Sequence, residues 1–319
     1  MVEESKDATE RIVREYAARD SRFSVFTQPR SGSPAAPRNT ALRHAKGEYV
    51  IFLDGDDSIA EGALTRLRDG IAAHPGADLY PCAIAVFDER HGVSGKVRDN
   101  YPPDCRAEMT GPEATLRSFQ FVRDPCPMMQ MTICRLGFLL ESGLRPIDGL
   151  RCEDSEFSPR ALYRARRVVP LHEPFYLYRI RPKSIMTASP DPARLMPDRA
   201  RILRSNYAFF AEIFSEPGFD VRLGPPWAAK WLNWPYFFWF SPKAMRLVSR
   251  RMRRETLSLA FGGGFGDFDL LTSFSTTPRK VAAAFLKLFV RHPAAGWLAD
   301  AFFRFAYNPL VVLRDRAKR

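Results

Sequence analysis

His44-Ala45-Lys46-Gly47-Glu48-Tyr49-Val50-Ile51-Phe52-Leu53-Asp54-Gly55-Asp56-Asp57-Ser58 reads as a helix end, a buried strand and an acidic loop. Lys46 and Gly47 fit a helix C-terminus, a cation in the last turn followed by the residue that tolerates positive φ. Tyr49 to Leu53 is a short run of aromatic, β-branched and aliphatic residues, the pattern of a strand covered on both faces. Three carboxylates then arrive within four residues. They stand at the carboxyl edge of the strand, where open α/β sheets bind ligands. Three crowded anions favour a divalent cation, and hard oxygen ligands suit Mg²⁺ or Mn²⁺ sharing its coordination with substrate phosphates. The competing reading is a solvated turn in which Asp57 or Ser58 caps a helix beginning near Ile59.

Outward from this stretch the chain alternates between two periodicities. Ile12, Val13, Tyr16 and Ala17 recur at helical spacing over residues 7–19, and residues 22–26 read as a short strand. Residues 28–33 form a turn, 35–45 a helix and 59–73 an amphipathic helix with Leu64, Leu67 and Ile71 on one side. Residues 78–87 read as a strand, and 91–112 as a polar, irregular excursion holding Pro102-Pro103. Further on, 155–165 reads as a helix, and 167–170 and 174–181 as short strands. This alternation predicts an α/β fold, a mostly parallel sheet with helices on its faces.

Upstream of the acidic loop lies Ser31-Gly32-Ser33-Pro34-Ala35-Ala36-Pro37-Arg38-Asn39-Thr40-Ala41-Leu42. Residues 31–58 together resemble the signature of family 2 glycosyltransferases with the GT-A fold. In that family a glycine-rich turn and an Arg-Asn pair precede a helix, a Lys-Gly-Glu-Tyr step, a hydrophobic strand and an Asp-x-Asp loop. Pro37 stands where the family has a small residue, a substitution the first turn of a helix accepts. The resemblance implies a metal on Asp56 and Asp54 and a nucleotide-sugar donor contacted by Arg38 and Asp54.

Two further segments carry the same likeness. Leu144-Arg145-Pro146-Ile147-Asp148-Gly149-Leu150-Arg151-Cys152-Glu153-Asp154 is similar to the family's acceptor-side segment, where Glu-Asp opens a helix. The resemblance implies that Asp154, with Glu153 beside it, is the catalytic base; the alternative reading of the pair is an N-cap with favourable helix-dipole charge. Tyr178-Arg179-Ile180-Arg181-Pro182-Lys183-Ser184-Ile185-Met186 looks like the family's Tyr-x-Tyr-Arg-x-Arg-x-x-Ser-Ile run, which implies donor contacts from Arg181 and Ser184. A solvated basic loop is the plain alternative. At the start, Glu3 and Glu4 stand where the family has two Asp, which carries a donor-binding role onto Glu4. The family's first strand, with its Pro-x-Tyr-Asn turn, has no counterpart, so the sequence reads as a fragment, a mis-assigned start or a degenerate paralogue. The likeness runs over residues 2–186.

The remainder is of another character. Of the formal net charge of +12 over 319 residues, residues 189–319 hold 21 Lys+Arg against 10 Asp+Glu, which is +11 and leaves about +1 for the rest. Ser189-Pro190-Asp191-Pro192 marks a boundary. The expected organisation is therefore a GT-A-like domain over residues 1–188, N-terminally incomplete, and a basic, aromatic-rich helical region over 189–319. That region opens with a long helix over 194–214. It then holds Trp227, Trp231, Trp234, Tyr236, Phe237, Phe238, Trp239 and Phe240, followed by Lys243, Arg246, Arg250, Arg253 and Arg254 at helical spacing. Rings beside cations suit a helix lying on an anionic membrane surface; the alternative is a helical core with a wet cationic face. Gly262-Gly263-Gly264-Phe265-Gly266 reads as a linker, since no Lys-Ser/Thr follows it.

Five cysteines without a CxxC pair read as reduced thiols, and no secretory h-region follows Met1. No window holds the run of about 20 apolar residues a spanning helix needs. The expectation is a cytoplasmic protein, peripheral at the inner face of the membrane, that passes sugar to a carbohydrate or lipid-linked acceptor in envelope or capsule polysaccharide synthesis. The rivals are a non-catalytic remnant of the fold and a nucleic-acid-binding protein. The pI of 9.7 alone suggests the latter, and without a nucleic-acid motif no nucleic-acid partner is expected.

Overall fold

The computed structural model describes residues 1–88, 92–122, 125–180, 192–227 and 230–231. The chain divides into two units, Met1–Ala188 and Ser189–Arg319.

The first unit begins with β1 (Val2–Glu3), α1 (Thr9–Arg19) and β2 (Thr27–Gln28), and β1 pairs in parallel with β2. Residues 22–26 thus join no ladder, the pairing starting one residue later. Then come α2 (Ala35–His44), β3 (Tyr49–Val50), β4 (Ser58–Ile59) and α3 (Ala63–Ala73). Ile59 starts no helix. It pairs with Tyr176 in a ladder, and Gly62, at φ +69, keeps the chain off the helical path until Ala63.

Next are β5 (Leu79–Pro81), β6 (Ala83–Asp88), β7 (Gly92–Arg98) and α4 (Gly111–Phe121). The single strand expected over 78–87 is broken at Cys82, and its halves belong to different sheets. Pro81 has no N–H to carry the ladder on. The expected irregular excursion starts with an ordered strand, β7, returning antiparallel along β6. Helix α4 carries a local signal that the pattern reading passed over. The Thr110 hydroxyl accepts a hydrogen bond from the Glu113 N–H, and the Glu113 carboxylate accepts one from the Thr110 N–H.

The unit closes with β8 (Thr132–Arg135), α5 (Leu136–Glu141), α6 (Asp154–Arg164) and β9 (Pro174–Ile180). Residues 167–170 make only bridges, through Val168 to Leu79 and Met109. The sheets are mixed where the sequence pattern suggests mostly parallel. The orders are β3-β8-β5 and β4-β9-β6-β7, and β6-β9 is the parallel pair among them. The reversal has a physical source: β7 turns straight back on β6, and β8 inserts antiparallel between β3 and β5.

Alternate residues of the central sheet enter two cores. Leu79 and Cys134 pack with Leu42, Phe52, Phe138, Phe157 and Val168, while Tyr80 and Ile133 pack with Leu67, Ile84, Phe175 and Tyr176. That two-sided cover is why these strands read as continuous apolar runs. Helix α4 crosses α6 so closely at Gly111 that a Cβ there would lie 2.2 Å from the Leu162 carbonyl oxygen.

In the second unit α7 (Pro192–Phe214) is followed by a 3₁₀ turn and α8 (Gly224–Trp227). Trp227 is fully buried against Phe209 and Phe210, with ring centroids 5.8 and 6.2 Å away. Trp231 is buried too. These two rings are core, which for them decides against a lipid-facing role. Residues 232–319, with the remaining aromatics, the cationic face and the glycine run, lie outside the described residues. Among the described residues no helix is long and apolar enough to cross a membrane.

Candidate active site

The acidic loop follows β3 and Phe52, and its turn is closed by the Asp57 N–H donating to the Asp54 carbonyl at 3.1 Å. Both oxygens of the Asp54 carboxylate are engaged. Arg38 Nη2 donates to Oδ1 at 2.6 Å and Gln130 Nε2 to Oδ2 at 2.6 Å. The other arm of Arg38 is ion-paired to Glu153, whose side chain is only 2% exposed. Arg38 also lies over the Phe52 ring, 6.0 Å from its centroid. One guanidinium on α2 therefore ties the acidic loop to the start of α6. Burial works against the Arg38 charge, but the Asp54 and Glu153 carboxylates outweigh it and hold the group protonated.

At the start of α6, Glu153 occupies the N-cap position, yet its side chain makes no capping bond. It turns to Arg38 instead, which removes the capping explanation for Glu153. Burial, opposed by Arg38, pushes its carboxyl up to about 7. Asp154 is half-buried, and its Oδ1 accepts from the Ser155 N–H at 2.8 Å. Desolvation raises its carboxyl above the usual range against the pull of Ser155 and Arg38, which favours a group that accepts a proton. The segment leading to these acids is held by α2. Ser33 Oγ donates to the Leu150 carbonyl, and Asn39 Nδ2 donates to the Pro146 carbonyl and Asp148 Oδ1, both at 2.7 Å.

Sequence reasoning missed four side chains. Gln130 comes from a methionine-rich run without periodicity. In the sequence Asp57 reads as one of three crowded loop carboxylates, or, in the competing reading, as a helix cap. Its carboxylate instead accepts from the Tyr176 hydroxyl and from the Arg179 N–H, the latter at 2.7 Å. Tyr176 had a signal, since it opens the Tyr-x-Tyr of the β9 run. At the first strand it is Glu3 that turns inward, accepting from the Ser31 N–H at 2.9 Å and from the Ser31 hydroxyl, and so bracing the glycine turn. Glu4 is exposed and meets Gln28 through its backbone. Arg181 and Ser184 lie outside the described residues.

The donor set allows a narrow test of metal binding. With both Asp54 oxygens on Arg38 and Gln130, Asp56 is the loop carboxylate placed to ligate. It is half-exposed, and a Cβ built on neighbouring Gly55 would meet nothing within 4 Å. Among the described residues no group of three or more His, Cys, Asp or Glu forms a metal cage. One carboxylate fits Mg²⁺ or Mn²⁺ that takes its remaining ligands from phosphates and water.

The architecture defines the class: a GT-A fold. In structural comparison the chain matches Staphylococcus aureus TarS 1–349 in complex with UDP-GlcNAc at a TM-score of 0.63 and 20% identity, covering 90% of this chain and 76% of that one. Sequence comparison points the same way: residues 3–132 match the model for glycosyl transferase family 2. The uncharacterized glycosyltransferase EpsJ of Bacillus subtilis is 31% identical over 191 residues, 59% of this chain and 53% of EpsJ. The poly(ribitol-phosphate) beta-N-acetylglucosaminyltransferase TarS of S. aureus is 29% identical over 184 residues, 54% of this chain and 28% of TarS. The chain thus spans about half of one relative and less than a third of the other.

Proposed function

We propose that the chain transfers a sugar from a nucleotide-sugar to an acceptor hydroxyl with inversion at the anomeric carbon. The observation that carries this reading is the Asp54–Arg38–Glu153 link, buried at its Glu153 end, which joins the acidic loop to the carboxylates opening α6. Asp154 takes the proton of the acceptor hydroxyl as that oxygen attacks, and its raised proton affinity suits the task. Glu153 and Arg38 hold the base in place and set the charge beside it. Asp56, with Asp54 behind it, would hold Mn²⁺ or Mg²⁺ on the donor's diphosphate, where the cation offsets negative charge growing on the leaving group. Arg38, Arg181, Ser184 and Glu4 remain donor-side candidates from the family pattern.

TarS, a polymer-modifying relative with a UDP-GlcNAc complex, favours a UDP-sugar and a cell-envelope polysaccharide as the first donor and acceptor to try. A carbohydrate or lipid-linked acceptor, met at an anionic membrane surface, agrees with the +11 charge of residues 189–319. The test is a thermal-shift screen against UDP-, GDP-, CDP- and dTDP-sugars with and without Mn²⁺. Stabilisation by one nucleotide class that requires the metal is the expected result, and no shift with any of them would refute the reading.

A further inference from the structure

The hydroxyl of Tyr176 serves no packing purpose. Its ring is fully buried in the core beside Phe175, with centroids 6.0 Å apart, and a phenylalanine would fill the same space. Yet this one oxygen makes two bonds, and both go to the acidic loop. It accepts from the Asp54 N–H at 3.3 Å and donates to Asp57 Oδ2. We propose that Tyr176 is the positioning residue of the acidic loop, fixing both flanks of Asp-Gly-Asp so that Asp56 is presented at the apex of a pinned turn. The proposal rests on the donor-binding role assigned above to that loop.

The surroundings favour the assignment. Tyr176 stands on β9, which is paired on both edges, to β4 on one side and to β6 on the other. Such a strand is a rigid platform, where sites are held more closely than on loops. The chain leaves the loop straight into β4, and the register Ser58↔Leu177 and Ile59↔Tyr176 sets the loop's exit beside the phenol. The Arg179 N–H adds a second bond to the same Asp57 carboxylate. Gly55 and Asp56 are thereby held between two anchored residues instead of ranging with the loop. Two anchored ends reduce the freedom lost when Asp56 takes a cation, which is how preorganisation strengthens binding. Asp57 consequently serves the site from behind and is spared ligation.

Tyr176→Phe removes the two bonds and keeps the ring. Two readouts on the full chain test it: amide hydrogen exchange of the ligand-free protein, and affinity for UDP, GDP, CDP and dTDP with and without Mn²⁺. The expected result is faster exchange over residues 54–57, unchanged exchange over β5, and a roughly tenfold loss confined to the Mn²⁺-dependent gain in affinity. A purely structural tyrosine would lower both affinities together or neither. Asp57→Asn should move the same quantity, and the double variant should lose no more than the larger single loss. Unchanged loop exchange in Tyr176→Phe, or an undiminished Mn²⁺-dependent gain, overturns the proposal. Faster loop exchange in a protein whose wild type takes up none of the four nucleotides would keep the anchoring and remove the transferase reading instead.

Discussion

Arg38→Met isolates the charge that holds the site together. Methionine keeps an unbranched chain beside Phe52 and removes the guanidinium that faces Asp54 and Glu153. Glu153 is 2% exposed, so an ionised carboxylate left there without its cation costs about 3–5 kcal/mol. Asp54 suffers less, since its side chain is 38% exposed and its second oxygen stays on Gln130; about 1 kcal/mol or less is its share. The sign of the pH dependence follows from Glu153. Its carboxyl is raised in the folded chain from 4.5 to about 7. The stability it contributes is therefore full below about pH 4.5 and lost as pH rises through about 7, about 3 kcal/mol in all. Removing Arg38 raises the carboxyl further and carries the loss to higher pH. Urea unfolding at about pH 5.5 and about pH 8 should thus show Arg38→Met mildly destabilised at the lower value and severely at the higher. Glu153→Gln should flatten the pH dependence between the two, and the double variant should recover most of the loss at pH 8. An Arg38→Met protein within about 1 kcal/mol of wild type at pH 8, or a double variant as unstable as Arg38→Met, would refute the argument.

Asp56→Asn removes charge at nearly constant volume and should abolish the Mn²⁺-dependent part of nucleotide binding while leaving the fold intact; calorimetric titration with and without metal checks it. Asp154→Asn should lower turnover by about 10²–10⁴ with donor affinity little changed, as for a lost proton acceptor, and steady-state kinetics with the donor found by the screen reads the split. Gly111→Ala places a methyl 2.2 Å from the Leu162 carbonyl oxygen and 2.4 Å from that of Tyr163, both backbone atoms. It should destabilise the first unit by several kcal/mol, about 3 or more, measured by urea unfolding.

What could be read in the sequence was whatever depends on order along the chain. The acidic loop after a hydrophobic strand, and Glu153-Asp154 at a helix start, are local patterns whose chemistry follows from charge and position. The break of 79–88 into two strands was not readable, because it is decided by which neighbour each half finds: β8 for Leu79–Pro81, and β7 and β9 for Ala83–Asp88. Gln130 was hidden for the same reason, since nothing in its own segment records that Asp54 lies opposite. Thr110 and Glu113 mark the other case, a local capping signal available in the sequence and passed over.

The adjacent pair Arg38-Asn39 explains how the two halves of the site stay in register. Consecutive residues on a helix point about 100° apart, so they reach different neighbours. Arg38 reaches the acidic loop and Glu153, while Asn39 reaches the 146–148 segment that leads to Glu153. Ser33, just before the same helix, holds Leu150. Helix α2, together with Ser33 just before it, thus sets the position of residues 146–153 through three side chains and of residue 54 through one, and the carboxylates it aligns are about a hundred residues apart in the chain. A shift of α2 would therefore move the proposed base and the acidic loop relative to each other, even if each kept its own local structure. On that account the Arg-Asn pair is best understood as the joint of the site, with donor contact an additional role that Arg38 could take up only by loosening its hold on Asp54 or Glu153.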